Sequence, residues 1–376
     1  MSVNKKIVVI FICLLIIIFA FLFILFYKRS FSVIFAGDAL INYRVLADAY
    51  DEKSDNFYFD NMLLYLDDYI NKYDLAFYNQ ESPISGDEMG YYGIYCLNSP
   101  SSFATSMLKL GFNVINLANN HSLDGQYNIV NNQLSCYNNI DKSVNNSLTF
   151  WKSQKNIQVI GVHKKGQYLE PKIKIINGIK YAFLSYTDTT NAAYKKIDYQ
   201  DEYVNIYSEE LVKQEVEFLR DKVDIIFVSM HWGRELLSIP TLEQKKQAKY
   251  LASLGVDVIV GHHPHVVEPI EWIDNTLVIY SLGNFITGSY DDGSFRKYVG
   301  QLVSFNVEKN FFGDVSITNL SSELTYNYFD QNFENIKVIP FSRVDENILS
   351  NYKEIFERYY KIVTLYDKSI YVKGIK

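Results

Sequence analysis

The chain has 376 residues, of which 48% are hydrophobic, enough for one large or two modest folded domains. Its formal net charge is −7 and its pI is about 5.5, which argues against a nucleic-acid-binding surface. The three cysteines match no metal or redox motif of the CxxC type. Cys96 and Cys136 could pair only if the fold brings their Cα atoms close together, and we expect both to be free.

The first predicted element is an unbroken apolar run from Ile7 to Tyr27, with Lys5-Lys6 before it and Lys28-Arg29 after it. At ~1.5 Å per residue, about 21 helical residues span roughly 30 Å, the hydrocarbon core of a bilayer. A cleaved signal peptide usually has a shorter apolar region of ~7–15 residues and a small-residue exit, which this run lacks. We therefore predict that residues 1–30 form a short stub and a retained transmembrane signal anchor. The flanking charges balance, so they leave its orientation open.

Beyond the anchor, predicted strands alternate with helices and then give way to hairpins, with no linker-like break between Phe31 and about Thr325. Periodicity and capping residues predict helices over Phe59–Lys72, Ser99–Leu110, Tyr127–Asn138, Leu148–Lys155, Ser208–Lys222, Thr241–Leu254 and Glu346–Leu365. Asn177-Gly178 predicts a hairpin, because this dipeptide suits a two-residue turn. The pattern indicates a mixed α/β sandwich rather than a doubly wound sheet.

Polar residues follow the predicted strands at the points where those strands end. Ligands bind outside the carboxyl ends of strands in α/β sheets, so we expect these residues to share one face of the fold. The set is Asp38 after Phe31–Ala36, Glu81 after Asp74–Tyr78, Asn120 and His121 after the run from Val114, His231 after the run from Val223, His263 and His265 after Val256–Val260, and Asn284 after Thr276–Tyr280.

The stretch from Gly261 to His265 is the densest part of this set, since it holds three of the six histidines. His263 and His265 are two residues apart, so on an extended backbone their rings would point the same way and His262 would face away. Imidazoles at the end of a strand can converge on a metal ion.

Carboxylate, imidazole and amide groups together suit Zn, Mn or Fe rather than Ca, which prefers oxygen ligands alone. Two such ions ~3.5–4 Å apart can clamp a phosphoryl group and lower the pKa of a bound water to about neutral. A histidine that binds no metal could then protonate the leaving oxygen. Burying these groups together without a metal would be costly, so the set predicts a metal site.

Six motifs in this chain resemble those of one family in both kind and order. They are Gly37-Asp38, Asn79-Gln80-Glu81, Ala118-Asn119-Asn120-His121-Ser122-Leu123-Asp124, His231-Trp232-Gly233, Gly261-His262-His263-Pro264-His265 and Tyr280-Ser281-Leu282-Gly283-Asn284-Phe285. Over about Phe31 to Thr287 the chain resembles the bacterial poly-γ-glutamate capsule biosynthesis (CapA) family. That family is similar in fold to calcineurin-like metallophosphoesterases, which implies an α/β/β/α sandwich.

The resemblance also implies roles for individual residues. Asp38, Glu81, Asn120, His231, His263 and His265 would bind one or two divalent ions. His121 would act as the acid, and Asp124 would either orient its imidazole or cap the loop. The chain departs from the phosphoesterase pattern, because Leu40 stands where a D-x-H motif has its histidine and Glu81 replaces the bridging aspartate. The resemblance therefore leaves open whether the site holds one metal ion or two.

For the whole chain, the resemblance implies an anchored protein with a cytoplasmic N-terminus and an extracellular CapA-like domain over residues 31–320. Residues 321–376 would add a strand and a helix. The expected function is biosynthesis of a poly-γ-glutamate capsule or related surface polymer, as a metal-dependent hydrolase or transferase. The alternative is a non-catalytic accessory or scaffold of a capsule synthase or export complex. Expected partners are the membrane, capsule synthase subunits and an anionic polymer, with no nucleic acid.

Overall fold

Two β-sheets dominate the computed structural model of the chain, which describes residues 8, 10–19, 24, 27–130, 133–192, 197, 199–289 and 293–375. The strands are β1 Lys28–Ala39, β2 Tyr50–Asp51, β3 Asn56–Phe57, β4 Leu75–Asn79, β5 Tyr92–Ile94, β6 Cys96–Asn98, β7 Val114–Asn116, β8 Gln126–Val130, β9 Gln133–Asn138, β10 Gln158–Ile160, β11 Ile173–Ile176, β12 Ile179–Thr187, β13 Ile225–His231, β14 Val258–His262, β15 Ile270–Ile273, β16 Thr276–Ile279, β17 Asn284–Ile286, β18 Val299–Asn310, β19 Val315–Tyr328, β20 Lys337–Pro340 and β21 Tyr371–Val372. The α-helices that follow β1 are α1 Tyr43–Ala49, α2 Asp60–Leu63, α3 Ser101–Leu110, α4 Ile140–Ser153, α5 Glu209–Arg220, α6 Leu242–Ser253 and α7 Tyr352–Val363. The predicted mixed α/β class is confirmed.

The first sheet has nine strands and is built around β1. Its order is β10-β7-β4-β1-β18-β19-β20, while β17 pairs with β1 and β21 pairs with β19. Strands β1, β4, β7 and β10 run parallel to one another, whereas β18 runs antiparallel to β1. The carboxyl ends of the four parallel strands therefore meet at one edge of the sheet.

The second sheet has six strands in the order β11-β12-β13-β14-β16-β15. Strands β12, β13, β14 and β16 are parallel, and the antiparallel strands β11 and β15 close its two sides. Asn177 and Gly178 join β11 to β12 with φ of 48° and 78°, the left-handed values that a two-residue hairpin turn needs. The hairpin predicted at Asn-Gly is confirmed.

Alternate residues of β1 face two different cores, as the pleat of a strand requires. Val33 and Phe35 pack between the two sheets, whereas Ile34 and Ala36 pack under α1, α3 and α4. The ring of Phe35 contacts four other phenylalanine rings, two from each sheet, at centroid distances between 5.4 and 6.4 Å. A third core lies between the second sheet and the helices α5 and α6. The layers are therefore helix, sheet, sheet and helix.

Capping residues identify two of the predicted helices correctly. The side chain of Ser208 caps α5, and Thr241 and Gln244 form the predicted capping box at the start of α6. Helix α4 begins at Ile140, earlier than the predicted Leu148. The cap predicted at Ser99 is not formed, because α3 begins at Ser101 after Pro100 and has no side-chain cap.

Other helix predictions are wrong in extent or in kind. The stretch Tyr127–Asn138 forms the antiparallel pair β8–β9 instead of a helix, and its many asparagine, aromatic and β-branched residues have low helix propensity. The helix predicted over Phe59–Lys72 is limited to α2 and one 3-10 turn that ends at Leu66. The helix predicted from Glu346 begins only at Tyr352. In each case tertiary packing overrides a weak periodic pattern.

The C-terminal segment packs on the body of the protein. Helix α7 buries Ile355, Tyr359 and Val363 in the same core cluster that holds the inner faces of the two sheets. Strand β19 continues without interruption from Val315 to Tyr328. The aromatic C-terminal helix therefore packs on the domain.

The predicted anchor over Ile7–Tyr27 falls partly on residues that lie outside the described ones, namely 7, 9, 20–23, 25 and 26. Val8 and residues 10–19 are helical and exposed. No helix within the described ranges has both the length and the apolar character needed to cross a bilayer. The anchor therefore stays a prediction.

Cys96 and Cys136 form a disulfide with a Cα–Cα distance of 5.3 Å, so the expectation that both are free is wrong. The bond joins β6 to β9, two short strands that belong to separate two-stranded sheets. The sequence did not reveal the disulfide because Tyr127–Asn138 was predicted to be a helix. In the structure this stretch forms β8 and β9, and their pairing places Cys136 next to Cys96.

Replacing both bridged cysteines with alanine is expected to lower the free energy of unfolding by about 2–4 kcal/mol, because the cross-link restricts the unfolded chain. Urea unfolding of the oxidised protein would measure the loss. The control is Cys13→Ala, since Cys13 is unpaired and exposed. Equal unfolding midpoints for the double variant and the wild type would contradict the prediction.

Glu268 is a buried carboxyl group just before β15, and its burial raises its pKa to about 8. Its Oε2 accepts a hydrogen bond from Nε2 of Gln244 at 2.8 Å, whereas Oε1 has no partner among the described residues. Since the folded pKa lies above the ordinary value of 4.5, the folded chain holds a proton that the unfolded chain releases. The free energy of unfolding contributed by this group therefore falls as the pH rises between these two values.

The variant Glu268→Gln is expected to match the wild type in stability at pH 5 and to exceed it by roughly 3–4 kcal/mol at pH 8. Glutamine keeps the shape of the protonated carboxyl group but never ionises. Urea unfolding at the two pH values checks this, with Glu217→Gln on the exposed face of α5 as the matched control. A pH profile of stability that is unchanged by Glu268→Gln would contradict it.

Candidate metal centre

The register of the strands brings the predicted polar residues to one end of both sheets. Asp38 pairs with Asn79 of β4 and with Asn284 of β17, and His231 of β13 pairs with His262 of β14. The strands concerned are parallel, so these positions lie at neighbouring carboxyl ends. The set expected on one face is thus brought together, although the metal-binding role of its members stays a prediction.

Two groups of side chains in this set could each hold a metal ion. In the first group, one ligand atom from each of Glu81, His231 and His263 lies within 4.8 Å of the others. In the second group, the same holds for Asp38, Glu81 and His265. Glu81 belongs to both groups, which is the arrangement expected of a carboxylate shared by two neighbouring ions.

The carboxylate of Glu81 is the feature that fits a cation best. It is fully buried, and neither of its oxygens has a hydrogen-bond partner among the described residues. Its Oε1 lies 3.5 Å from Nε2 of His265 and 3.9 Å from Nε2 of His231. Nδ1 of His263 is also buried and unpaired within the described ranges. Buried polar atoms are normally satisfied, so these orphaned ligand atoms indicate a missing charged partner.

Among the histidines of the site, the neutral imidazole of His263 supports this interpretation, whereas His265 carries a proton that a bound ion would have to displace. Burial, together with the neighbouring charge of Asp38, raises the pKa of Glu81 to about 8. Burial would lower the pKa of His265, but the carboxylates of Glu81 and Asp38 outweigh it and raise that pKa to about 10. Burial lowers the pKa of His263 to about 4. An imidazole that is neutral at pH 7 has a free lone pair, which is the form that binds a metal.

Asp38 remains ionised despite complete burial. Burial by itself would raise the pKa, but contacts with the histidines at 3.4 Å (His262) and 3.1 Å (His265) hold the pKa of Asp38 well below its usual range. The side-chain amide of Asn79 and the backbone N–H of His263 also donate to this carboxylate, at 2.8 and 3.3 Å. Asp38 is thus a fixed anion at the floor of the site.

The backbone of the histidine stretch differs from the prediction. Strand β14 ends at His262, and His263 and His265 have φ of 96° and 58°, so the extended geometry assumed for this pair is wrong. Their rings still approach each other, with centroids 6.0 Å apart. Left-handed φ values at non-glycine residues cost energy and tend to occur at functional sites.

Asn120 and Asn284 each contact a histidine of the site. Oδ1 of Asn120 lies 2.9 Å from Nε2 of His231 and accepts a hydrogen bond when that nitrogen carries the proton, so a metal-binding role for Asn120 stays a prediction. Oδ1 of Asn284 lies 3.1 Å from Nδ1 of His265, and its amide nitrogen donates to the backbone oxygen of the same residue. Asn284 thus ties the loop of His265 to the start of β17.

His121 and Asp124 form a pair at the edge of the cluster. Nδ1 of His121 lies 2.7 Å from Oδ2 of Asp124, and the backbone N–H of Leu97 donates to the same oxygen at 2.8 Å. Burial would lower the pKa of His121, but the carboxylates of Asp124 and Glu81 raise it overall. Asp124 thus orients the imidazole and also ties the loop of His121 to β6.

Sequence reasoning missed three residues of the site. Glu235 is exposed, and its carboxylate forms a third group with His263 and His265 whose ligand atoms lie within 4.8 Å of one another. Its loop is fixed by a 2.8 Å hydrogen bond from the backbone N–H of Leu236 to the oxygen of Pro264. Glu235 lies in the loop four residues beyond the end of β13 and belongs to no motif, so it was not recognised from the sequence.

The other two missed residues lie beside groups that were predicted. His262 is buried in the second sheet, stacks on Phe77 with a centroid distance of 5.4 Å and contacts Asp38. The side chain of Asn191 lies 3.4 Å from Nε2 of His121. The signal for His262 was present in the histidine stretch, but the assumption of an extended backbone pointed it away from the site.

Comparison with known proteins identifies related sequences. The family described as Bacterial capsule synthesis protein PGA_cap matches residues 32–289, more than half of the chain. The chain is similar to the PGA biosynthesis protein CapA of Bacillus subtilis (strain 168), with 28% identity over 211 residues that cover 56% of this chain and 50% of the relative. It is also similar to the Capsule biosynthesis protein CapA of Bacillus anthracis, with 27% identity over 260 residues that cover 67% of this chain and 59% of the relative. The chain thus spans about half to three fifths of the length of these curated relatives.

Among solved structures, the fold is similar to that of NAD nucleotidase from Haemophilus influenzae. The TM-score is 0.45 and the identity is 11%, over 93% of this chain and 65% of that chain. At this score and identity the likeness says nothing about the site, so its chemistry is argued from this chain's own residues.

Proposed function

Because the chain belongs to the bacterial capsule synthesis protein family, we propose that it is a metal-dependent hydrolase or transferase that acts on a surface polymer such as poly-γ-glutamate, or on its linkage to the envelope. The observation that supports catalysis most strongly is the buried carboxylate of Glu81, whose two oxygens lack hydrogen-bond partners among the described residues and face three imidazoles. A purely structural core would not retain such a group, because leaving it unpaired is costly.

The proposed metal ligands are Asp38, Glu81, Asn120, His231, His263 and His265. When bound, a divalent ion such as Mn, Zn or Fe would act as a Lewis acid and lower the pKa of a coordinated water. Nδ1 of His121 is held by Asp124, so Nε2, which lies 3.4 Å from the side-chain nitrogen of Asn191, is the atom that would donate a proton to the leaving oxygen or nitrogen of the substrate. Asn79 and Asn284 would keep the ligand side chains in place through their hydrogen bonds to Asp38 and His265.

The charge of the chain bears on the substrate. A net charge of −7 would repel a polyanion such as poly-γ-glutamate, so binding needs a local source of positive charge. Divalent ions held at the rim of the fold would provide it, and the polymer carboxylates would then approach the centre from solvent. The same ions would therefore serve both substrate attraction and bond cleavage.

The proposed location is the outer face of the cell membrane, with a cytoplasmic N-terminus and a single anchor over residues 7–27. The disulfide between Cys96 and Cys136 supports this location, because disulfides form and persist in oxidising compartments outside the cytoplasm. The uninterrupted apolar sequence before Lys28 supports the anchor itself. The proposed partners are the membrane and subunits of a capsule synthase.

The test is an assay of the full chain in detergent on an aryl phosphate and on γ-glutamyl oligomers. Hydrolysis of at least one of them, lost after chelation and restored by Mn, Zn or Fe, is the expected result. Activity that survives chelation, or no activity on either substrate class from metal-loaded protein, would argue against the proposal.

A second function is an accessory role in polymer assembly or export without catalysis. The names of both relatives describe biosynthesis of the polymer or capsule rather than a reaction, which suits an assembly protein equally well. The two functions differ in a genetic test. If His231→Ala and His263→Ala both restore capsule to a deletion strain, the accessory function is correct, and if neither does while Glu217→Gln does, the catalytic function is favoured.

A further inference from the structure

The hairpin between β18 and β19 carries an exposed aromatic tip. Phe311 is 48% exposed and Phe312 is 75% exposed, and the two rings lie 5.7 Å apart between centroids. Hairpin turns are normally built from glycine, asparagine, aspartate and serine, because these residues suit the backbone and the solvent. Two adjacent exposed phenylalanines at a turn therefore indicate a surface that meets an apolar partner.

The tip lies where the chain enters the fold. Lys28, the first residue of β1, pairs with Asn310, so the tip projects just beyond the start of β1. The ring of Tyr27 packs edge-on against that of Phe311 with centroids 6.2 Å apart. The apolar sequence that we propose as a membrane anchor ends at this same residue, so the tip is adjacent to the point where the anchor would leave the bilayer.

Basic residues accompany the aromatic ones. Lys28 and Arg29 are exposed, and Arg29 reaches across to the backbone oxygen of Gly178 in the turn of the second sheet. Aromatic rings at the level of the headgroups, with lysine and arginine beside them, are typical of membrane–water interfaces. The amino ends of the strands in both sheets therefore present one surface with the chemistry of an interface.

We propose that the aromatic tip, Phe311 and Phe312, inserts into the headgroup region of a phospholipid bilayer and holds the domain upright on the membrane. This inference rests on the anchored topology of the proposed function. A single flexible connection at Lys28 would let the domain tilt freely, whereas a second contact at the hairpin fixes its axis.

The upright orientation determines what the metal centre can reach. Asp38 lies ten residues beyond Lys28 along β1, and at about 3.3 Å per residue the centre stands roughly 30 Å from the lipid surface. The carboxyl ends of the strands therefore point away from the membrane. The substrate class that fits is a polymer or a wall-linked chain that extends outward, rather than the phosphate of a lipid headgroup within the bilayer.

The test uses the full chain reconstituted in vesicles of phosphatidylcholine and phosphatidylglycerol, with and without bromine on the acyl chains, which quenches tryptophan on contact. The reporter is Phe312→Trp, and the matched control is Leu242→Trp, because Leu242 is 87% exposed and opens α6 beyond the carboxyl end of β13. The signal of the native tryptophans is subtracted with unsubstituted protein. We expect the tip tryptophan to lose most of its emission in brominated vesicles and the control to keep its emission.

The outcomes separate this inference from the topology on which it rests. A chain that floats with the vesicles but keeps the emission of Phe312→Trp overturns the tip contact and leaves the anchor intact. Equal quenching of Phe312→Trp and Leu242→Trp overturns the upright orientation. A chain that fails to float with vesicles overturns both the anchor and the tip contact.

Discussion

Replacing Glu81 with glutamine is expected to lower both the affinity for the metal ion and the hydrolytic rate by more than about 100-fold, since losing even a partner outside the ligand shell typically costs 10–100-fold. Glutamine keeps the shape of the side chain but presents an amide in place of the carboxylate that both candidate metal groups share. Elemental analysis and rate measurements on the same preparations would show the two losses together.

The same variant distinguishes a metal ligand from a structural residue. In metal-free protein, Glu81→Gln should be at least as stable as the wild type at pH 7, because burial raises the pKa of this carboxyl group to about 8 and its charged form is disfavoured. Glu217→Gln on α5 is the matched control for the substitution itself. Two results together would contradict the ligand role. They are a large loss of thermal stability in the metal-free Glu81→Gln variant and undiminished binding when the metal is added back to it.

Replacing His121 with asparagine is expected to lower kcat by about 10²–10⁴-fold while metal content stays unchanged, which is the usual range for losing a general acid. The loss should be small for a nitrophenyl ester, whose leaving group needs no proton, and large for an alkyl ester. Asp124→Asn should lower kcat in the same substrate-dependent way but by less, because the imidazole remains and only its orientation is lost.

The control for this histidine is His163→Asn, since His163 is a buried histidine outside the three candidate metal groups. An equal loss of rate on both esters would remove His121 from the proton-donating role. Loss of metal from His121→Asn would instead make it a ligand.

The parts of the fold that the sequence predicted correctly depend on short-range chemistry. The Asn177-Gly178 turn and the cap at Thr241 depend only on the residues beside them, so they can be predicted without knowledge of the fold. The arrangement of Asp38 and His231 at strand ends follows from a general property of parallel sheets. These signals were enough to predict that the polar residues lie together at one edge of the fold.

The parts that escaped prediction depend on contacts between distant segments. Cys136 reaches Cys96 because β9 pairs with β8, and although the low helix propensity of this stretch argues against a helix, no local pattern shows that these two cysteines meet. Glu235 lies at the site because the next residue, Leu236, donates a backbone hydrogen bond to Pro264, which is far along the chain. The left-handed backbone at His263 was not predicted, because nothing in the local residue pattern marks this position as having a positive φ.

The central claim is that carboxylates and imidazoles from distant strands converge on a divalent ion. Anomalous diffraction from crystals of the protein loaded with Mn, Zn or Fe tests it most directly. We predict a peak bonded to Glu81 and to at least two of His231, His263 and His265, at ligand distances of about 2.0–2.2 Å. Metal-loaded crystals with no peak at Glu81, or with a peak only at surface carboxylates, would contradict it.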